Sequence, residues 1–146
     1  MIRTYSISIF LTGILFFYSS CTKVDESIQG VNPYHVILVF FDSWHKKDWK
    51  TLYTLVHPSI IQKIKMQKLT PKELAMSNEE LFIYKFRQAS LSNPDKVLRS
   101  YELKSISGYK VGDTTVWADT IVNGKKKRIP LTLDGLSIKV DLTRIE

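Results

Sequence analysis

The stretch Thr114–Leu142, TTVWADTIVNGKKKRIPLTLDGLSIKVDL, carries the reading of the fold. Two dipeptides that tolerate positive φ, Asn123-Gly124 and Asp134-Gly135, divide it into three runs of alternating polarity, the pattern of two successive β-hairpins. With each dipeptide at the middle of its connection, Val116 faces Leu131 and Ala118 faces Ile129 across the first hairpin. Leu131 then faces Ile138 and Ile129 faces Val140 across the second, so one face of the sheet is apolar throughout. On the opposite face the same register aligns Asp119, Arg128 and Asp141 as a structural ladder of charge, with Trp117, Pro130 and Lys139 in the next row. A slip by one residue would bury Arg128 and expose Ile129, which selects this pairing. The nine residues from Lys125 to Leu133 are an odd number, and a central strand alternates the neighbour it bonds to. Two tight turns cannot both flank them, so a wider connection or a bulge is required. Pro130, which has no N–H, is its natural place.

Upstream, Tyr101, Leu103 and Ser105 point one way in an earlier strand, and Gly108 to Asp113 supply turn residues. Before Ser100 the spacing is helical. Asn32-Pro33 starts a helix, the Asn side chain accepting from an orphan N–H and the proline fitting the first helical position. Val36, Val39, Phe40 and Trp44 form its apolar stripe. Asp48 caps a second helix carrying Trp49, Leu52, Leu55 and Val56, which His57 and Pro58 interrupt. Thr70 with Glu73 and Ser77 with Glu80 are written as capping boxes. The second opens a helix bearing Leu81, Phe82, Tyr84, Lys85, Phe86 and Ala89, ending near Ser92, Asn93 and Pro94. Ile60 to Leu69 is apolar without a clear stop. Helices followed by a curved antiparallel meander make an α+β domain, the helices packed on one face of the sheet.

The 146 residues fit one domain of this kind, and the formal charge is +7. Met1 to Thr4 carry one positive charge, Tyr5 to Tyr18 form an apolar stretch, and Ser19 and Ser20 precede Cys21, the only cysteine. This is the layout of a signal peptide, and the stretch is shorter than the ~20 apolar residues of a spanning helix. An ordinary secretory signal or an uncleaved anchor is the alternative. Ser19-Ser20-Cys21 resembles a lipobox, in which the cysteine acquires a diacylglyceryl group before cleavage. On that resemblance residues 1–20 are a lipoprotein signal peptide, 21–31 a lipidated tether and 32–146 the single domain. Two or three acyl chains anchor stably where one binds marginally.

Removal of residues 1–20 takes away only Arg3 among charged side chains and leaves +6. That permits weak contact with anionic partners and specifies none. A lipidated Cys21 leaves the mature domain without a thiol, which excludes disulfides and cysteine metal sites. Lys23 followed by Asp25-Glu26 is similar to the surface-export signals of some Gram-negative lipoproteins, and equally fits a solvated tether. The address implied is the cell envelope, at the outer membrane of a Gram-negative bacterium.

Phe40 to Val56, with its Trp44, Lys46, Lys47, Asp48, Trp49 and Leu52, resembles the first-helix region of small lipoproteins in the nuclear transport factor 2-like superfamily, and the closing strands are similar. The resemblance covers most of residues 31–146. It implies a cone enclosing a pocket between helices and sheet, to which Asp42, Trp44, His45 and Tyr101 are the candidate contributors. Enzymes of that superfamily use a pocket aspartate to move a proton next to a carbonyl, which needs an apolar cavity to tune its pKa. No residue here matches a catalytic motif, so none is assigned.

The three histidines, His35, His45 and His57, have no metal-binding spacing; His35 and Asp42 share at most a helix face. No cofactor or metal is expected. Lys125, Lys126, Lys127 and Arg128 form the densest basic run and read as a solvated, edge-protecting hairpin. Aromatics at core spacing are no stacking platform, so nucleic acid is not an expected partner. The expectation is a non-catalytic envelope module that holds an unknown small molecule or envelope protein. The rivals are an isomerase- or hydrolase-like pocket enzyme and an electrostatic binder of anionic surface polymers.

Overall fold

A computed structural model describes residues 32–93, 96–107 and 113–146. Residues 1–31, on which the expected signal segment, Cys21 lipidation and tether fall, and Pro94 and residues 108–112 of the stretch expected to turn, lie outside the described residues. The domain is α+β, with five helices among the described residues followed by a four-stranded antiparallel sheet in the order β1-β2-β3-β4.

Local chemistry starts the helices. Helix α1, Pro33–His45, begins where the Asn32 side chain accepts from the Tyr34 N–H at 3.0 Å. Lys47 turns the chain with φ 58°, and Asp48 caps α2, Trp49–Leu55, by accepting from the Thr51 N–H at 3.1 Å. Helix α3, Ser59–Lys65, occupies the apolar stretch that lacked a stop signal. Both capping boxes form, over the single turn of α4, Pro71–Leu74, and at the start of α5, Asn78–Ser92.

Tertiary packing sets which faces are covered. The buried arc of α1 is Val36, Ile37, Phe40, Phe41 and Ser43, with Val39 and Trp44 at its margins. This is rotated from the expected stripe because α1 lies against β1 and β4 as well as α2. Helix α5 packs on α2 and α3. There the Phe82 ring stacks on Phe86 with centroids 4.2 Å apart and tilts against Tyr53 at 5.4 Å. Val56 bridges to Val140, and the His57 N–H donates to the Val140 carbonyl at 2.8 Å, joining the helical half to the sheet.

The first hairpin, β2 (Thr115–Val122) with β3 (Lys125–Asp134), has the expected register: Val116 opposite Leu131, Ala118 opposite Ile129 and Asp119 opposite Arg128. Asn123 and Gly124 both have positive φ, as a type I′ turn requires. The second hairpin, to β4 (Ser137–Val140), differs from expectation by two residues: Leu131 pairs with Val140 and Leu133 with Ile138. Lys139 accordingly stands opposite Thr132, not Pro130. The turn is Gly135-Leu136, with positive φ at Gly135 alone, the type II′ pattern.

Parity explains the shift. β3 has ten residues, an even number, so Lys125 bonds toward β2 and Asp134 toward β4 and both tight turns are satisfied without a bulge. Leu136 is left 93% exposed at the tip as the cost. The irregularity at Pro130 falls in its partner: the Pro130 carbonyl accepts from the Asp141 N–H, and the chain then leaves β3 until Glu146 pairs with Arg128 through two backbone bonds of 2.9 and 3.0 Å. A bulge between Leu103 and Ser105 in β1, Tyr101–Ile106, turns Ser105 to the outer face, where it donates to Asp119 at 3.0 Å. The expected alignment of Ser105 with Tyr101 and Leu103 is thereby broken, and Ile106 packs against the core in its place.

Candidate functional site

Because α5 rides on α2 and α3, its C-terminal half stands off the sheet, and a cleft of about 770 Å³ opens between it, α3 and the β2–β3 hairpin. That volume is of small-molecule size. Its apolar wall includes Trp44, Ile60, Ile64, Phe86 and Ile129. Its cations are Lys85, Lys96, Arg99, Lys125 and Lys127, and among the described residues no acidic side chain lines it.

Each cation is placed by a different constraint. Lys125 and Lys127 lie opposite Val122 and Thr120, on the inner face that Ile129 and Leu131 continue. Period-two alternation therefore sends them toward the cleft while Lys126 and Arg128 face away. Lys85 pairs at 2.5 Å with Glu73. Glu73 is nearly buried and also accepts from the Thr70 N–H at 2.7 Å; the Lys85 ammonium and the Thr70 groups hold its carboxyl down at about 2. Arg99 is placed by Asn123, whose side-chain oxygen accepts from the Arg99 and Ser100 N–H groups at 2.8 and 3.1 Å. Its amide donates to the Val97 carbonyl at 2.8 Å. The hairpin turn thus clasps the segment that follows α5. Read along the chain, Asn123 shows only its turn role, since the partners lie more than twenty positions away.

Of the four candidate pocket residues, Trp44 lines the cleft, packed edge-on against Phe40 at 5.7 Å. Asp42 pairs instead with Lys46 at 2.8 Å near the surface, and His45 is exposed. Tyr101 stacks on Phe41 with centroids 4.8 Å apart. The seat of one helix accounts for this: α1 presents Asp42 and His45 on the side away from its buried arc. His35 is exposed as well, and among the described residues no three His, Cys, Asp or Glu side chains come together.

Within the charge ladder, Asp119 stands 3.6 Å from Arg128, which also lies 4.9 Å over the Trp117 ring. Asp141 is not their neighbour. The two-residue shift of β4 puts Glu146 beside Arg128 and carries Asp141 to a buried position of its own. There the carboxylate accepts from the Ser59 and Thr143 hydroxyls at 3.1 and 2.6 Å, the Thr143 N–H at 3.0 Å and the Arg144 guanidinium at 2.7 Å. Burial alone would raise its pKa, but the Thr143 hydroxyl, the Arg144 guanidinium and the Thr143 and Ser59 donors together hold it at about 2.

Ser59, His57 and Asp141 lie close together without forming a nucleophile–base–acid relay. The Ser59 hydroxyl donates directly to Asp141, and His57 Nδ1 accepts from the Ser59 backbone N–H at 3.2 Å. This cluster ties the C-terminal segment to α3. The cleft, in turn, offers cations and apolar surface and, among the described residues, no carboxylate or imidazole to serve as a base. No family model, curated protein or solved structure matches the chain.

Proposed function

We propose that the protein is a lipid-anchored lipoprotein of the cell envelope whose folded part is a non-catalytic binding module, its ligand seated in the cleft between α5 and the β2–β3 hairpin. The observation that carries the binding reading is that cleft: about 770 Å³, apolar on its wall and cationic at its margin, with no carboxylate or imidazole able to act as a general base lining it among the described residues. The enzyme reading needs Asp42 or His45 in the cavity, and neither lines it. A nuclear transport factor 2-like cone is the fold reading that accounts for helices covering an antiparallel sheet with a pocket left between them. The anchor reading rests on Tyr5–Tyr18, Ser19, Ser20 and Cys21. It puts the module at a membrane, with the outer membrane of a Gram-negative bacterium as its address.

The anchor is tested by intact mass and membrane fractionation of the native protein beside a Cys21→Ser variant. The native form is expected in the membrane fraction with the added mass of its acyl chains, and the variant without either. Equal solubility and equal unmodified mass for the two forms would remove the envelope assignment and leave the cleft untouched.

A further inference from the structure

We infer that the cleft between α5 and the β2–β3 hairpin takes an anionic amphiphile, an alkyl chain ending in one compact oxyanion. The inference rests on the reading of the cleft as a ligand site and goes beyond it by naming the ligand's chemistry. Cations from three separate parts of the chain converge there: Lys85 from α5, Lys96 and Arg99 from the segment after it, and Lys125 and Lys127 from β3. Glu73 neutralises Lys85, and among the described residues no carboxylate stands within 4.0 Å of the other four. A positive margin of this kind raises the local concentration of anions.

Edge protection does not account for the arrangement. Toward β4 the backbone of β3 is already paired, at Arg128 by Glu146 and at Pro130 by Asp141, and edge protection has no bearing on Lys96 or Arg99. The strand register is the more telling fact. Along the inner face of β3 the residues run Leu131, Ile129, Lys127, Lys125, so an apolar row changes to a cationic one within the cleft itself. A chain lying on Ile129, Phe86 and Ile64 with its head at Lys127, Lys125 and Arg99 matches that order. Inorganic anions would use the margin and leave the apolar wall wet; a neutral chain would use the wall and leave the cations without a counter-charge.

Trp44 on the wall supplies the readout. The probes are 8-bromooctanoate and 8-bromooctyl phosphate, whose bromine quenches indole fluorescence on contact, with 8-bromooctanol as the uncharged control. The full chain is used, purified from whichever fraction carries it, and each variant's fold is checked by circular dichroism. Both anions are expected to quench saturably at concentrations about tenfold below the alcohol, the scale of one or two charge-assisted contacts. Lys125→Glu with Lys127→Glu, or the milder Lys125→Ala with Lys127→Ala, is expected to erase that preference, Lys126→Glu to leave it, and Trp44→Phe to abolish the quench.

Equal potency of the alcohol and the anions would overturn the head-group assignment while the ligand site stands. Displacement of the probes by inorganic phosphate at the probes' own concentration would overturn the apolar half. Binding of a long polyphosphate that Lys126→Glu weakens as much as the inner pair would make the protein a surface binder of polymers instead. Failure of all three probes on folded protein would remove the ligand site itself, and with it the reading under which the module binds anything in this cleft.

Discussion

Asp141→Asn is expected to cost about 2 kcal/mol of stability near neutral pH and close to nothing near pH 2. The substitution keeps the volume of a side chain that is only 4% exposed, so no cavity contributes, and it removes the charge that the Thr143, Arg144 and Ser59 donors surround. The carboxyl is depressed from 3.8 to about 2 on folding. At roughly 1.4 kcal/mol per pH unit, that difference is worth about 2 kcal/mol. A depressed acid stabilises the folded state above its unfolded value and loses that stabilisation as pH falls through its folded value. The contribution is therefore whole above about pH 4 and fades toward about pH 2. Glu73 is depressed into the same range, but it is present in both proteins and drops out of the difference. Urea unfolding of the native chain and the Asp141→Asn variant at about pH 7, 4 and 2 measures the gap directly. A gap that stayed constant over that range, or one below about 0.5 kcal/mol at neutral pH, would show that the Asp141 cluster does not carry a net charge-dependent stabilisation.

Two further substitutions probe the parts that shape the cleft. Asn123→Ala removes all three side-chain bonds to the Val97–Ser100 segment, keeps the backbone bond from its own N–H to the Ser100 carbonyl, and puts alanine at φ 51°, for a loss of about 1–3 kcal/mol. Amide exchange at Arg99 and Ser100 should rise more than elsewhere, and unchanged exchange there would refute the clasp. Phe82→Ala empties a fully buried site between Phe86 and Tyr53, and a loss of about 3–5 kcal/mol is expected in urea unfolding. A loss under about 1 kcal/mol would mean that α5 does not depend on this contact for its seat on α2.

Helix starts and the first turn were legible along the chain because their physics is local. Asn32 with Tyr34, Thr70 with Glu73, Ser77 with Glu80 and the positive-φ pair Asn123-Gly124 each act within four positions, so residue type and spacing suffice. The first hairpin register was legible too, since a slip would bury Arg128. The second was not. Asp134-Gly135 and Gly135-Leu136 both offer a turn, and the choice between them follows from whether β3 can satisfy two neighbours at once, a condition no single hairpin states.

The candidate site divides the same way. Trp44 could be named from its stripe, whereas the placement of Asp42, His45 and Tyr101 depended on which arc of α1 the sheet would cover. Asp141 was drawn away from Arg128 by the same two-residue shift that moved the turn. Lys85, Arg99 and Lys127 lie far apart in sequence and share a cleft only because α5 seats on α2 and α3 and Asn123 ties the following segment to the hairpin. Short-range hydrogen bonding and alternation thus belong to the order of the residues, while the meeting of distant charges around an apolar wall belongs to packing, which depends on every layer being in place together.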